Sequence, residues 1–245
     1  MTDCAVAILV ASPLDFEATY ALVHDAQHID FLQQVCRIHG SLEENLTRRP
    51  PRLRLALEEV VVGVQKGFLR LESALKNNDR DDHSKSINSI VERAIRTLVG
   101  ADTDCRDFDD DFKWKLSLQR RERLQIFHDL WNKGYIVTFG SKFGADFLIY
   151  KDSPKHAHAV ALIVVKGFEE EFARVDIVSF CRIAKMVKKQ LVFASVRTLK
   201  ERECESERAD EKTDSLLDVT SSDVVYVSLT HALLVSRQDE SGDTM

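Results

Sequence analysis

The chain has 245 residues, of which 44% are hydrophobic and 30% charged, and its formal net charge is −6. This length supports one large domain or two small ones, in an ordinary globular protein without an apolar run long enough to span a membrane. The acidic balance argues against a freestanding basic nucleic-acid binder but leaves room for a local basic patch, and five scattered cysteines without a CxxC pair fit reduced, intracellular thiols.

The N-terminal part alternates between strand-like and helix-like patterns. β-branched and apolar runs predict strands, and apolar residues at helical spacing predict helices. Glu58 and Glu59 suit the positive N-terminal end of a helix. In chain order the pattern predicts a strand at 4–11, a helix at 22–38, a strand that starts after Pro51, a helix from Glu58 and a strand at 68–72. Together they predict a small N-terminal α/β domain over residues 1–75.

Residues 76–112 change character, because polar and charged residues dominate them. They predict a charged linker with one helix at 87–99. The acidic run GADTDCRDFDDDF that follows is more typical of a solvated spacer than of a metal site.

Globular patterning resumes at residue 113 and predicts a second domain over 113–238. The run 159–165 is apolar throughout, which is typical of a strand buried on both faces. In chain order the pattern predicts a helix ending at Gly134, strands at 135–140, 146–150 and 159–165, a helix at 173–189, strands at 190–196 and 223–229, and a short helix at 231–235. Residues 198–214 are predicted to be a charged surface insertion, and 239–245 a disordered tail.

A tyrosine and two histidines surround the loop between two of these strands. Tyr150 ends one strand, and His156 and His158 precede the next. Alternation along a strand predicts that the two histidines point to opposite faces, so that at most one is functional. Each residue also has a structural explanation, as a strand-end rim residue or as a surface histidine.

The helix at 173–189 carries a basic stripe. At helical spacing Arg182, Lys185 and Lys189 lie within about 60° of one another. A solvated face at a helix C-terminus, where the helix dipole favours cations, explains this stripe without any function.

Combined, these residue types suggest chemistry. A tyrosine, a histidine and a lysine can cleave RNA without a metal, because one group removes the 2′-OH proton, another protonates the leaving 5′-oxygen, and a cation stabilises the phosphorane. Imidazole titrates near neutral pH and suits the acid role, whereas a phenol base needs a nearby cation. The sequence has no GxGxxG, P-loop, GxSxG or paired CxxC motif.

The sequence here resembles the tRNA-splicing endonuclease subunits. The resemblance centres on FHDLWNKGYIVTFGSKFGADFLIYKDSPKHAHAV, continues through VSFCRIAKMVKKQLVFASV and ends in VVYVSLTHA, and it covers about 110 residues. KFGADFLIY and HAHA are most like the smaller catalytic subunit, which cuts the 3′ splice site. The resemblance implies a C-terminal domain of the restriction-endonuclease-like type with a mixed central sheet, within an overall α/β (α+β) fold.

The resemblance also implies roles for single residues. Tyr150 corresponds to the general base, His156 to the general acid and Lys189 to the transition-state stabiliser, whereas His158 matches no catalytic role. Arg182 and Lys185 are expected to bind substrate. No metal or other cofactor is expected.

The function implied is cleavage of intron-containing pre-tRNA in the nucleus, or on the cytosolic side in some organisms, to give a 2′,3′-cyclic phosphate and a 5′-OH. The chain would act within a heterotetramer of splicing-endonuclease subunits, since an acidic protein makes too few phosphate contacts to hold tRNA alone. Two alternatives stay open: a non-catalytic structural subunit of the same complex, and a metal-dependent nuclease on the same fold.

Overall fold

The computed structural model describes residues 4–10, 18–43, 50–73, 91–92, 95, 117–198 and 222–229. Within them the chain forms two five-stranded sheets, and each sheet combines antiparallel pairs with one parallel pair. The predicted α/β (α+β) class with a mixed sheet in the C-terminal part is confirmed.

The first sheet belongs to the N-terminal part and has the strand order β3-β4-β2-β1-β5. Only β1 and β5 pair in parallel. Its elements are β1 (Ala5–Val10), β2 (Tyr20–Val23), α1 (Ala26–Gln34), β3 (Ser41–Glu43), β4 (Arg52–Ala56), α2 (Leu57–Gln65) and β5 (Leu69–Ser73).

The predicted helix at 22–38 is shorter than expected, because β2 occupies its first residues and pairs with both β1 and β4. Asp25 caps α1, and its carboxylate accepts hydrogen bonds from the backbone N–H groups of Gln27 (2.8 Å) and His28 (3.1 Å). This N-cap fixes the helix start at Ala26. The three-residue strand β3 was not predicted.

The second sheet has the strand order β10-β9-β8-β7-β6. β8 and β9 are parallel, and α4 makes the crossover that a parallel pair requires. The elements are α3 (Leu118–Asn132), β6 (Ile136–Phe139), β7 (Phe147–Tyr150), β8 (Ala161–Val165), α4 (Arg174–Met186), β9 (Gln190–Thr198) and β10 (Ser222–Leu229).

Helices cover both faces of this second sheet. On one face α3 contributes Ile126, Phe127, Leu130 and Trp131 to a core shared with β7, β8 and β9. On the other face Ala184 of α4 packs with Leu162, Leu191 and Phe193. All five residues of β8 are buried, as the sequence predicted.

A tight turn joins β6 to β7. A side chain at Gly140 would place its Cβ 3.0 Å from the Cβ and the carbonyl oxygen of Ala145, a tight contact, so the close backbone approach favours glycine. The turn precedes β7, so it lies at the opposite end of this strand from Tyr150.

The two sheets are joined by specific contacts. Trp131 Nε1 donates to the carbonyl oxygen of Cys36 at 3.0 Å, and Arg37 Nη1 donates to the carbonyl oxygen of Trp131 at 3.0 Å. The carboxylate of Glu58 on α2 is 1% exposed and pairs with Arg120 (3.2 Å) and Arg123 (3.5 Å) of α3.

Several predictions lie wholly or mostly outside the described residues: the linker, the acidic run, the insertion at 198–214, the helix at 231–235 and the tail at 239–245. The domain boundaries at 75, 112 and 238 stay predictions. Val91 and Ile95 from the predicted linker helix are among the described residues. Both are buried in the hydrophobic core of the N-terminal sheet. None of the described helices has the length and apolar character of a membrane span.

Candidate active site

The ends of three central strands meet on one side of the second sheet, and we call this row of strand ends the edge of the sheet. β7 ends there, and β8 and β9 both begin there, because β7 is antiparallel and β9 parallel to β8. Ile149 lies opposite Ala161, and Ala161 lies opposite Gln190. Tyr150 follows this row and Lys189 precedes it, so the two residues lie just outside the same edge.

Lys189 is placed by the way in which α4 ends. Val187 is the C-cap, and Lys188 takes a left-handed conformation with φ of 52°. The N–H of Lys188 donates to the carbonyl oxygen of Lys185 (3.2 Å), and that of Lys189 donates to Ala184 (2.9 Å). These two hydrogen bonds form a Schellman motif, which closes the helix and leads directly into β9.

The loop 151–160 joins β7 to β8 and carries both histidines, and we call it the histidine loop. The side chain of Lys189 is half-buried and turns toward this loop. Its Nζ donates to the carbonyl oxygen of Ala159 at 3.1 Å. An ammonium group has three N–H donors, so two more can bind other acceptors such as phosphoryl oxygens. Lys189 therefore joins the start of β9 to the residues that lead into β8.

The histidine loop folds on its own backbone. The N–H groups of His156 and Ala157 both donate to the carbonyl oxygen of Ser153 at 2.9 Å. The N–H of Ser153 donates to the Asp152 carboxylate at 2.6 Å, and Lys155 N–H donates to Ser153 Oγ at 3.4 Å. These bonds form a compact turn that presents His156 to solvent.

The structure corrects the prediction that His156 and His158 point to opposite faces of a strand. Both side chains are exposed, and both lie in the loop before β8. Turn bonds to Ser153 hold this segment out of the sheet, and pairing resumes only where Val160 N–H donates to Ile149 at 2.8 Å. The two histidines are both exposed, so burial does not indicate which of them is the general acid. The assignment of this role to His156 rests on the resemblance to the family.

Tyr150 is half-buried at the end of β7. Its ring packs against the core cluster that also contains Ala159, Leu191 and Val187. No described residue forms a hydrogen bond with its hydroxyl group.

Arg182 and Lys185 lie on the exposed side of α4, as predicted, but Lys189, the third residue of the predicted stripe, is half-buried beyond the helix end at Met186. Neither Arg182 nor Lys185 pairs with a carboxylate in the described part of the chain. Ala184 faces the core from the same turn of the helix, so the polar and apolar sides are separated.

The N-terminal part contains a buried histidine. His39, on the connection between α1 and β3, is 7% exposed. Burial lowers the pKa of its imidazole below the ordinary value, and the positive charge of Lys155 in the histidine loop lowers it further.

No group of three or more histidine, cysteine, aspartate or glutamate residues suited to a metal ion occurs within the described ranges. Asp146 accepts from Val165 N–H at 2.7 Å and pairs with Arg123, so it acts within the fold. The acidic run of the linker lies outside the description.

Comparison with known proteins finds similarity over most of the second sheet and its helices. Residues 121–203 match the catalytic C-terminal domain of the tRNA intron endonuclease family. The tRNA-splicing endonuclease of Saccharolobus solfataricus is 38% identical over 109 residues, which cover 44% of this chain and 60% of that protein. The tRNA-splicing endonuclease of Sulfolobus acidocaldarius is 30% identical over 105 residues, which cover 41% and 58%.

A tRNA-splicing endonuclease of Saccharolobus islandicus is 36% identical over 72 residues, which cover 29% of this chain and 40% of that protein. The matched region thus spans 40–60% of the length of these curated relatives. The predicted resemblance to the tRNA-splicing endonuclease family is confirmed for this region.

Proposed function

We propose that this chain, whose residues 121–203 match the catalytic C-terminal domain of the tRNA intron endonuclease family, is a catalytic subunit that cleaves intron-containing pre-tRNA. One observation carries the proposal. The sheet register sets Tyr150, at the end of β7, and Lys189, before β9, just outside one edge. The loop that carries His156 joins β7 to β8 at the same edge. All three residues lie inside the matched region.

The chemistry proposed is attack by the ribose 2′-OH on the adjacent phosphorus. Tyr150 accepts the proton of the 2′-OH, and the new bond forms between the 2′-oxygen and phosphorus. The bond from phosphorus to the 5′-oxygen breaks, and His156 donates a proton to that oxygen. The products are a 2′,3′-cyclic phosphate and a 5′-OH.

Lys189 has the electrostatic role in this proposal. Its ammonium is held by the Ala159 carbonyl oxygen, so its charge is already in place before the phosphorane forms. A fixed cation of this kind stabilises the transition state without a metal ion.

We further propose the 3′ splice site as the position cut and a heterotetramer of splicing-endonuclease subunits as the working form, in the nucleus. The net charge of −6 supports the need for partners, because affinity for RNA depends mainly on cationic contacts with phosphates. Arg182 and Lys185 would bind RNA beside the cleavage point, and the other subunits would provide most of the remaining surface.

The test is reconstitution of the complex with wild-type chain, His156→Ala or Lys189→Ala, followed by cleavage of intron-containing pre-tRNA in EDTA. The proposal predicts that the wild type cuts the 3′ site and that each variant loses at least about 100-fold in rate.

Two outcomes would identify the alternatives. Unchanged 3′-site cutting by both variants would assign the chain a structural role in the complex. Loss of wild-type cutting in EDTA, with recovery in Mg²⁺, would favour a metal-dependent nuclease.

A further inference from the structure

Two non-glycine residues in the described ranges have a positive φ: Arg37 (57°) and Lys188 (52°). In this conformation the Cβ of an L-residue comes close to the neighbouring carbonyl oxygen, so the position after a helix favours glycine. A long cationic side chain at either place needs a reason.

The fold itself explains Arg37. Its guanidinium lies 4.5 Å from the centre of the Trp131 ring, and its Nη1 donates to the Trp131 carbonyl oxygen at 3.0 Å. These contacts join the two parts of the chain and offset the backbone strain.

The fold offers no such explanation for Lys188. Its side chain is exposed and forms no hydrogen bond, ion pair or ring contact with the described residues. Three cations elsewhere in the second sheet and its connections do have carboxylate partners: Lys133 pairs with Asp129, Lys166 with Glu170, and Arg197 with Asp223.

The surroundings of Lys188 are cationic as well. Arg182 and Lys185 of the same helix are exposed, and so are Lys151 and Lys155 of the histidine loop. None of the four pairs with a carboxylate in the described part of the chain. An acidic protein thus gathers unpaired cations around the edge where Tyr150 and Lys189 lie.

We infer that Lys188 is a phosphate-binding residue, which holds the RNA backbone at a phosphate next to the one that is cut. Lys189 is half-buried and bound to Ala159, so it serves the cleavage centre, whereas the exposed Lys188 extends outward from the same helix end. Glycine at position 188 would relieve the backbone but remove this charge. The inference rests on the proposed function and adds a substrate-binding residue to it.

The test compares Lys188→Gly, Lys188→Arg and the control Lys142→Ala in the full chain, assembled with its partner subunits. Lys142 is an exposed lysine in the turn at the opposite edge of the sheet. Thermal unfolding of each free chain, cleavage kinetics on intron-containing pre-tRNA and the salt dependence of RNA binding are measured.

Lys188→Gly should raise Tm by about 2–4 °C, because it relieves the left-handed strain. It should also raise KM several-fold with little change in kcat, and make the slope of log affinity against log salt shallower by about 0.7–1. Lys188→Arg should keep the wild-type KM and slope, and Lys142→Ala should change neither.

Failure of this inference is distinct from failure of the proposed function. A wild-type complex that does not cut pre-tRNA refutes the proposed function. Wild-type cutting, together with an unchanged KM and salt slope in Lys188→Gly, overturns the inference alone. A lower Tm in Lys188→Gly, or a loss confined to kcat, overturns it as well.

Discussion

The three residues proposed to cut RNA are held with unequal firmness. Tyr150 is fixed by strand pairing, and Lys189 by a helix cap and by its bond to the Ala159 carbonyl oxygen. His156 lies in an exposed turn that is closed only by its own backbone bonds. We therefore expect the base and the cation to be preformed, and the acid to reach its final position when RNA binds.

The two exposed histidines provide a matched pair for testing the acid. Within the reconstituted complex, His156→Ala should lower kcat by about 10²–10⁴-fold, because the leaving 5′-oxygen loses its proton donor. His158→Ala removes an equally exposed imidazole two residues away and should leave kcat within a few-fold of the wild type. Equal losses in the two variants, or a larger loss at His158, would contradict the assignment.

A buried carboxylate in the N-terminal part should make stability depend on pH. Glu59 accepts backbone N–H bonds from Gly40 (2.8 Å) and Ala56 (3.0 Å). Burial raises the pKa of Glu59 from 4.5 to about 7; the two backbone bonds oppose this rise, and the charge of Glu58 adds to it. The protonated form is thus favoured in the folded chain.

The sign of this effect follows from linkage. Because the folded-state pKa is raised, the contribution of Glu59 to stability is full below pH 4.5 and is lost as the pH rises through about 7. The variant Glu59→Gln lacks this titration, so the stability advantage of the wild type should shrink between pH 5 and pH 8. Urea unfolding over this pH range measures the free energy of unfolding of the wild type, of Glu59→Gln and of the control Glu43→Gln. If the free energies of wild type and Glu59→Gln changed with pH in parallel, this prediction would be contradicted.

At the scale of elements, sequence patterns predicted most of the second sheet, because its strands are continuous apolar runs and its helices have clear ends at Gly134 and at the paired lysines. They failed for β2 and β3. A four-residue strand directly before a helix continues the helix pattern, and only the N-cap residue Asp25 marks the boundary between them. β3 has two exposed residues of three, so no apolar alternation marks it.

The candidate site was only partly predictable. The residue types could be chosen from motifs, but their juxtaposition depends on strand register, which single-sequence patterns do not give. The Ala159 carbonyl that binds Lys189 is a backbone atom and leaves no trace in residue identity. The turn that exposes both histidines depends on hydrogen bonds to Ser153, and strand alternation therefore misplaced them.

The contact between α2 and α3 depends on buried charge. Glu58 faces Arg120 and Arg123, which are themselves mostly buried. Glu58→Ala should lower the free energy of unfolding by about 3–5 kcal/mol, because it removes the buried carboxylate that pairs with both arginines. Glu43→Ala, which removes a partly exposed partner of Arg52, should cost less than about 1 kcal/mol. Urea unfolding compares the two, and equal losses would contradict a special role for the buried network.

At the scale of the whole molecule, charge separation is the main feature. The chain is acidic overall, yet exposed cations that pair with no carboxylate of the described residues lie around the edge that carries the candidate site. Such an arrangement suits a subunit that grips RNA locally while other chains supply the broader phosphate contacts.

This arrangement predicts that the isolated chain binds intron-containing pre-tRNA weakly at about 0.15 M salt, whereas the assembled complex binds at least about 10-fold more tightly. Fluorescence anisotropy with labelled pre-tRNA measures both affinities. Equal affinity for the chain alone and for the complex would contradict the need for partners.

We propose that the 2′-OH of the RNA cleaves the RNA chain without a metal ion at the edge that carries Tyr150, His156 and Lys189. The most direct test gives the assembled complex, in EDTA, a pre-tRNA with a single 2′-deoxynucleotide immediately 5′ of the scissile phosphate at the 3′ splice site. We expect the all-ribose RNA to be cut there to a 2′,3′-cyclic phosphate and a 5′-OH, and the deoxy-substituted RNA not to be cut at that site. Cleavage of both RNAs at equal rates would contradict it.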